Sequence, residues 1–245
     1  MTNKDLLFET TDSTYANSDV DDSVFLGHRF RLREKFLNAG ANALADYELL
    51  ELLLTFAIPR VDVKPIAKQL MNKFGSLAAV VHAESNDLAV VSGVKETTVA
   101  LIKTVQEFLL RTLRDDLKSV PILNNYTKVL DYCRALVAFK NVEQFRILYL
   151  DNKFNLIGDD VVQEGTINYA AVYPREVVKR VLAVGAVNVI IFHNHPTGDP
   201  NCSQNDIDIT KKIRIALNSV DVVMIDHLII GDAGRYFSFK NQGLI

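Results

Sequence analysis

The sequence has little cysteine, no tryptophan and no long hydrophobic run. Its two cysteines, Cys133 and Cys202, are too few for a disulfide framework or a cysteine-rich structural zinc cluster. The most apolar segment, residues 181–192, is interrupted by Gly185 and Asn188 and is too short to cross a membrane. The first residues are polar, with no basic stretch leading into an apolar one, which argues against a secretory signal. These absences favour a cytoplasmic protein that has no membrane contact.

The 245 residues, 49% of them hydrophobic, suffice for one large domain or two smaller ones, and the pattern along the chain favours two. Residues 1–23 are predicted to be a disordered tail, because the first 22 contain six acidic residues, one lysine and little apolar periodicity. Residues 24–118 show helical spacing throughout. Residues 119–245 mix strand and helix patterns, and the stretch around Pro121 is the predicted linker.

The second of these regions predicts an α+β domain, close to α/β, with a mixed sheet and flanking helices. Continuous or alternating apolar residues favour strands, whereas apolar residues three and four apart favour helices. The predicted strands are 144–150, 155–162, 187–192, 222–224, 226–230 and 236–240, and the predicted helices are 127–138, 175–184 and 204–218.

The third predicted strand runs into residues 193–196, which read His-Asn-His-Pro. Side chains alternate along a strand, so His193 and His195 are expected on the same face. The proline ends the strand, because it has no backbone donor, and a turn-rich loop follows. A helix is predicted to begin near Ser203. Asp206 would then lie in its first turn, where it can reach back toward the end of the strand.

Two imidazoles and one carboxylate are the three-ligand set of a catalytic zinc site, in which water takes the fourth position. We therefore predict that His193, His195 and Asp206 bind Zn²⁺. Simpler explanations stay open. Ser203-x-x-Asp206 is also a capping box, which satisfies the backbone of the first helical turn, and a histidine after a buried strand is often a core residue. Cys202 is either a supplementary ligand or a solvent-facing loop thiol.

These residues resemble the JAMM (MPN-plus, JAB-type) zinc metalloproteases, whose signature is a distant glutamate followed by H-x-H-P and S-x-x-D. The resemblance is closest to the RadC-type branch, since residues 193–198 read HNHPTG, residues 174–176 read PRE and residues 226–229 read DHLI. It extends from about His28 to the C-terminus. One departure is Cys202, where the family usually has proline. The resemblance implies an MPN fold and a zinc-dependent peptidase or isopeptidase.

A hydrolase of this type needs a base that takes a proton from water and returns it to the leaving group. The family supplies a glutamate on an early strand, and the matching residue is Glu143, at the start of the first predicted strand. Glu164, at a strand end, and Glu176, near a helix start where a carboxylate favourably meets the dipole, stay as alternatives. Ser203 is predicted to donate a hydrogen bond to the developing oxyanion, a contribution of about 3 kcal/mol in such sites.

The predicted function is therefore amide hydrolysis by a zinc metallopeptidase that acts on an unidentified peptide or protein conjugate. A second hypothesis is a DNA-binding repair or recombination accessory protein with a structural or vestigial zinc site, because the RadC-type family has carried a DNA-repair label. Hydrolysis of a phosphodiester or a nucleoside amine is a third. Asp226 and His227 are either a pair that orients a metal ligand or a buried structural pair.

Two features of the helical region suggest DNA contact. Residues 88–95 and the helix after them resemble a helix-hairpin-helix, in which a glycine turn aims backbone N–H groups at a phosphate, although Lys95 stands where the second glycine should be. Residues 29–35 are a basic run. However, residues 24–118 contain thirteen basic and eleven acidic residues, and a net charge of +2 is far from the footprint of a strong binder. The sequence thus gives DNA contact weak support.

Overall fold

The computed structural model describes residues 20–118, 121–165 and 172–245. The described chain divides into two compact units: residues up to Leu77 together with Val91–Val94, and Ala78–Val90 together with Lys95–Ile245. The predicted domain boundaries after residues 23 and 118 stay predictions, and most of the predicted acidic tail, residues 1–19, lies outside the described residues. Every helix in the described part of the chain is too short or too polar to span a lipid bilayer.

Regular structure within residues 24–118 is helical, as predicted, and the first helix begins at Val20. A small core of Leu32, Leu44 and Leu52 holds part of the first unit together. Gly93 follows α5 in a left-handed conformation, and a Cβ there would lie 2.6 Å from Cδ1 of Ile66, so this turn requires glycine. The helices are α1 (Val20–Ala39), α2 (Asp46–Ala57), α3 (Lys64–Phe74), α4 (Leu77–His82), α5 (Ser85–Ala89) and α6 (Glu96–Lys118).

The second unit contains a five-stranded sheet in the order β2-β1-β3-β4-β5. The β3 and β4 strands are parallel and the other neighbours are antiparallel, so the predicted mixed sheet with flanking helices is confirmed. The unit includes α5, α6 and most of α4, and its other elements are α7 (Tyr126–Val137), β1 (Gln144–Leu150), β2 (Leu156–Glu164), α8 (Pro174–Val184), β3 (Asn188–Asn194), α9 (Gln204–Asn218), β4 (Val223–Ile230) and β5 (Tyr236–Ser238).

The strands predicted over residues 222–224 and 226–230 form the single strand β4. The predicted break corresponds to a bulge, because Val189 pairs with Met224 whereas Ile190 pairs with Asp226. Ile225 therefore has no partner on β3. A bulge leaves one residue unpaired and shifts the register of the residues after it.

Both faces of the sheet are buried. On one face, which we call the α7 face, Leu148, Phe192 and Leu228 pack against α7 and the end of α6. On the other, the α9 face, Ile147 and Ile191 pack against α8 and α9. Because side chains alternate along each strand, neighbouring residues of one strand face different helices. The alternation decides which polar side chains can meet at the end of β3.

Candidate metal centre

Both motif histidines lie at the C-terminal end of β3, on the α9 face. His193 is the penultimate residue of the strand and pairs with Phe145, which belongs to the apolar cluster of that face. Directly opposite residues of an antiparallel pair share a face, and His195 follows His193 by two residues. The Phe145 and His193 rings are stacked with their centroids 5.8 Å apart. The two imidazoles therefore share a face, as predicted.

Asp206 reaches this strand end because of how α9 begins. Ser203 is the N-cap, and its hydroxyl oxygen accepts a hydrogen bond from the backbone N–H of Asp206 at 3.2 Å. The Asp206 carboxylate in turn accepts from both the N–H and the hydroxyl of Ser203, at 2.7 Å each, through Oδ2. The capping box is present, and it is also what directs Asp206 toward the histidines.

The three side chains form a compact cluster. Nε2 of His193 lies 3.1 Å from Nε2 of His195 and 3.3 Å from Oδ1 of Asp206, and Nε2 of His195 lies 3.7 Å from Oδ2 of Asp206. One ligand atom from each residue lies within 4.8 Å of the other two. Two imidazole nitrogens and one carboxylate oxygen are a donor set that suits Zn²⁺, and three is the number of protein ligands in its catalytic sites. Among the described residues, Cys202 is not part of this cluster.

Three hydrogen bonds orient the ligand atoms of His195 and Asp206. Nδ1 of His195 lies 2.7 Å from the carbonyl oxygen of Asp199, which can only accept, so Nδ1 of the neutral ring carries the proton and Nε2 offers its lone pair to the cluster. The hydrogen bonds of Ser203 engage Oδ2 of Asp206, whereas Oδ1 faces His193. Oδ2 of Asp206 therefore stabilises the first turn of α9, and Oδ1 points toward His193.

Burial and charge set the protonation states of the cluster. Burial lowers the pKa of His193 to about 4, so this imidazole is neutral at neutral pH. Burial opposes ionisation of Asp206, but the neighbouring imidazoles of His195 and His193 and the hydrogen bonds from Ser203 hold the pKa of its carboxyl well below the usual range. The Asp206 carboxylate, whose Oδ2 lies 3.7 Å from Nε2 of His195, raises the pKa of this imidazole. A neutral imidazole and an ionised carboxylate are the forms that a metal requires.

Of the three candidate bases, Glu143 lies beside the cluster. It directly precedes β1, and its Oε1 lies 3.9 Å from Nε2 of His193. Burial raises the pKa of Glu143 to about 7, against the opposing effect of His195, and its side chain is only 13% exposed. Glu164 is exposed at the end of β2, where it accepts a hydrogen bond from Gln144 at 2.8 Å, and the Glu176 side chain on α8 is 46% exposed. The catalytic role of Glu143 stays a prediction.

Asn194 is a residue whose contribution the sequence reasoning missed. It is buried, and its side chain bonds three backbone groups of the segment that carries Glu143. Its Oδ1 accepts from the N–H of Gln144 at 2.9 Å, and its Nδ2 donates to the carbonyl oxygens of Val142 and Lys140 at 3.1 and 3.3 Å. An asparagine at the end of a buried, mostly apolar strand was the available signal, because a buried amide needs partners.

His227 and Asp226 point to opposite faces of the sheet, so they do not act as a pair. On the α9 face, Nε2 of His227 lies 2.9 Å from Nδ1 of His193, and Nδ1 of His227 lies 2.6 Å from the hydroxyl oxygen of Thr210 on α9. Burial lowers the pKa of His227 well below its ordinary value. His227 thus contacts a candidate ligand directly, and Thr210 joins the site without having been predicted.

Asp226 points to the α7 face, where its carboxylate accepts four hydrogen bonds. The donors to Oδ2 are the hydroxyls of Tyr126 and Ser238, the latter at 2.6 Å. The donors to Oδ1 are the backbone N–H groups of His227 and Lys240, at 2.7 and 3.0 Å. Of this dipeptide, His227 therefore contacts a candidate ligand, and Asp226 joins α7, β4 and β5.

A mixed sheet covered by helices on both faces, with a His-His-Asp cluster at the end of a central strand, defines a JAB-type domain. A model of the RadC-like JAB domain matches residues 123–244, and a model of the UPF0758 N-terminal family matches residues 27–100. The chain is also 46% identical over 214 residues to a UPF0758 protein of Rhodobacter capsulatus, a match that covers 87% of this chain and all of the relative. The chain therefore belongs to the UPF0758 family, and its C-terminal part is a RadC-like JAB domain.

Proposed function

We propose that this chain is a zinc-dependent hydrolase of the metallopeptidase or isopeptidase type, which cleaves an amide bond in a peptide or protein-conjugate substrate. The observation that carries the proposal is the position of Glu143, a half-buried carboxylate 3.9 Å from Nε2 of His193 that lies next to the His-His-Asp cluster. The three ligands alone would account only for metal binding, whereas an adjacent carboxylate outside the ligand set can also serve as the base that hydrolysis needs.

The residues of the cluster fit the metal. His193, His195 and Asp206 would hold Zn²⁺ through two imidazole nitrogens and one carboxylate oxygen. When bound, Zn²⁺ would supply Lewis acidity and lower the pKa of a water to about 7. The Asp199 carbonyl fixes the His195 ring, and the Ser203 cap fixes the Asp206 carboxylate, so both ligands are oriented by backbone structure.

The other residues of the site handle the proton and the developing charge. Glu143 accepts the proton of the attacking water and passes it to the leaving amine. Its shielding from solvent supports this role, because a buried carboxylate takes up a proton more readily than an exposed one. Ser203 donates its hydroxyl hydrogen to Asp206, so a hydrogen bond to the oxyanion requires this hydrogen to rotate away from Oδ2.

The test is the variant Glu143→Gln in the full-length chain. We expect bound zinc, measured by elemental analysis, at the stoichiometry of the unchanged protein, and hydrolysis of peptide and isopeptide substrates reduced to background. Glu164→Gln and Glu176→Gln are matched controls that keep both properties. Loss of zinc from Glu143→Gln would contradict the assignment of ligands and base, and loss of activity in a control variant alone would transfer the role of base to that residue.

DNA contact is a second candidate, favoured by the tight turn at Gly93 between α5 and α6. The basic run of α1 supports it less, because two of its members are engaged within the first unit. Arg29 donates to the carbonyl oxygens of Ile58 and Val61, and Lys35 pairs with Glu48 at 2.9 Å. A salt-dependent mobility shift of duplex or branched DNA by the full chain would support DNA contact, and no shift at low salt would end the idea.

A further inference from the structure

A chain of buried hydrogen bonds connects the backbone of one candidate ligand to the imidazole of another. It starts at the carbonyl oxygen of Asp206, which lies within hydrogen-bond distance of the Thr210 hydroxyl, one helical turn further along α9. It continues from this hydroxyl to Nδ1 of His227 and from Nε2 of His227 to Nδ1 of His193. Thr210 is 1% exposed, and His227 is fully buried, with its ring stacked on Phe239 at a centroid distance of 4.6 Å.

The direction of every bond in this chain follows from its first member. A carbonyl oxygen only accepts, so the single hydrogen of the Thr210 hydroxyl points at Asp206. The Thr210 oxygen can then only accept from His227, and Nδ1 of His227 must carry a proton. A fully buried imidazole whose ring nitrogens meet a hydroxyl and another imidazole is neutral, because burial disfavours an unpaired charge. Nε2 of His227 is therefore an acceptor.

We infer that Thr210 and His227 are positioning residues that keep the proton of His193 on Nδ1. The lone pair of His193 Nε2 is thereby directed at His195 and Asp206. The same tautomer of His195 is set by the carbonyl oxygen of Asp199, so both rings present Nε2 to the cluster by different means. Without the Thr210 oxygen, a proton on Nδ1 of His227 has no acceptor, so the tautomer with the proton on Nε2, which can donate to Nδ1 of His193, becomes the more stable one. His193 would then accept at Nδ1 and carry its own proton on the atom that binds the metal.

This inference rests on the proposed zinc site, but its first test needs no activity. We would label the five histidines of the full chain with ¹⁵N and record long-range ¹H–¹⁵N correlations at mildly alkaline pH, with and without zinc, assigning signals by single His→Gln variants. The expected result is a protonated Nδ1 and an unprotonated Nε2 in His193 of the zinc-free protein, and zinc on Nε2 when it is added. A proton on Nε2 of His193, or zinc on its Nδ1, would overturn the inference.

The second test compares Thr210→Val with Thr210→Ser. Valine has the shape of threonine but no hydroxyl, whereas serine keeps the hydroxyl. We expect Thr210→Val to bind zinc about 10- to 100-fold more weakly in a chelator competition, the usual effect of losing a partner of a metal-bound histidine, and Thr210→Ser to stay within about threefold of the unchanged protein. Equal zinc affinity in the two variants overturns the inference.

The two tests separate this inference from the proposed function. If the unchanged protein binds no zinc, the proposed hydrolase is wrong, while the tautomer of His193 in the same sample still decides whether the Thr210–His227 chain acts as inferred. If zinc binds and hydrolysis is observed but His193 carries its proton on Nε2 in the zinc-free protein, the proposed function stands and the inference fails.

Discussion

The two faces of the sheet each carry a buried polar network, and consecutive residues of β4 belong to different ones. On the α7 face, the Asp226 carboxylate accepts four hydrogen bonds, from α7, β4, β5 and Lys240, the second residue after β5. On the α9 face, His227 supports a cluster in which nitrogen and oxygen atoms of His193, His195 and Asp206 face one another at 3.1 to 3.7 Å.

The difference separates a structural network from a ligand site. Each oxygen of Asp226 accepts hydrogen bonds from two donors, so protein groups fill the acceptor capacity of this carboxylate. In the cluster, the hydrogen bonds of Asp199 and Ser203 engage the far sides of His195 and Asp206 and leave acceptor atoms directed at a common point. Acceptors that converge are what a cation requires. Substitutions in the α7-face network should therefore lower the free energy of unfolding, and substitutions in the cluster should weaken metal binding.

The largest expected effect is on zinc affinity in Asp206→Asn. This change removes the charged ligand, and we expect zinc to bind roughly 1,000-fold more weakly, about 4 kcal/mol, in a chelator competition. Asp206 is the N3 residue of the capping box, and the amide oxygen of asparagine can still accept the hydrogen bond from the Ser203 N–H, so the free energy of unfolding of the zinc-free protein should change by less than about 1 kcal/mol in urea. If stability is lost while zinc is retained, the contrast between the two networks is wrong.

The opposite result is expected for Asp226→Asn. An amide offers one acceptor oxygen to four donors and turns its NH₂ group toward donors, so we expect a loss of about 3 kcal/mol in the free energy of unfolding. Tyr126→Phe removes a single donor and should cost about 1 kcal/mol. Zinc affinity in both folded variants should stay within about threefold of the unchanged protein. A graded loss of zinc that follows the loss of stability would show that the α7-face network belongs to the site.

Asn194→Ala should affect both stability and chemistry, because Asn194 holds the segment that carries the proposed base. Losing its three hydrogen bonds should cost about 2 kcal/mol of unfolding free energy. Hydrolysis should fall at least tenfold while zinc stays bound, since a displaced base lowers the rate without removing a ligand. The matched control is Asn188→Ala on the same strand, which removes the hydrogen bond to the Asp151 carbonyl. It should cost stability and leave hydrolysis unchanged.

Much of the fold could be predicted from the sequence, because both core faces follow simple periodicities. The predicted bounds of residues 144–150 and 204–218 coincide with β1 and α9. The bulge at Ile225 had no such signal. Strict alternation from Met224, which lies on the α9 face, would put Asp226 on that face too, but the unpaired Ile225 shifts the register and brings His227 there instead. The face of each residue depends on strand pairing, which the local pattern does not contain.

The candidate ligands could be predicted because their spacing is local. His193 and His195 share a strand face at a separation of two, and a helix start brings Asp206 back toward them. Glu143 required the resemblance to choose it over two other glutamates, since only the pairing of β1 with β3 places it beside His193. Thr210 could have been found, because it lies four residues after Asp206 and shares its helix face.

The smallest expected effect belongs to Cys202→Ala. Cys202 directly precedes the N-cap Ser203, and its thiol lies outside the cluster of His193, His195 and Asp206. Burial raises the pKa of this thiol, which disfavours the thiolate that binds a metal. We therefore expect zinc affinity within about twofold and unfolding free energy within about 0.5 kcal/mol of the unchanged protein. A tenfold weaker zinc affinity would instead add Cys202 as a fourth ligand and make the site the closed kind that holds structural zinc.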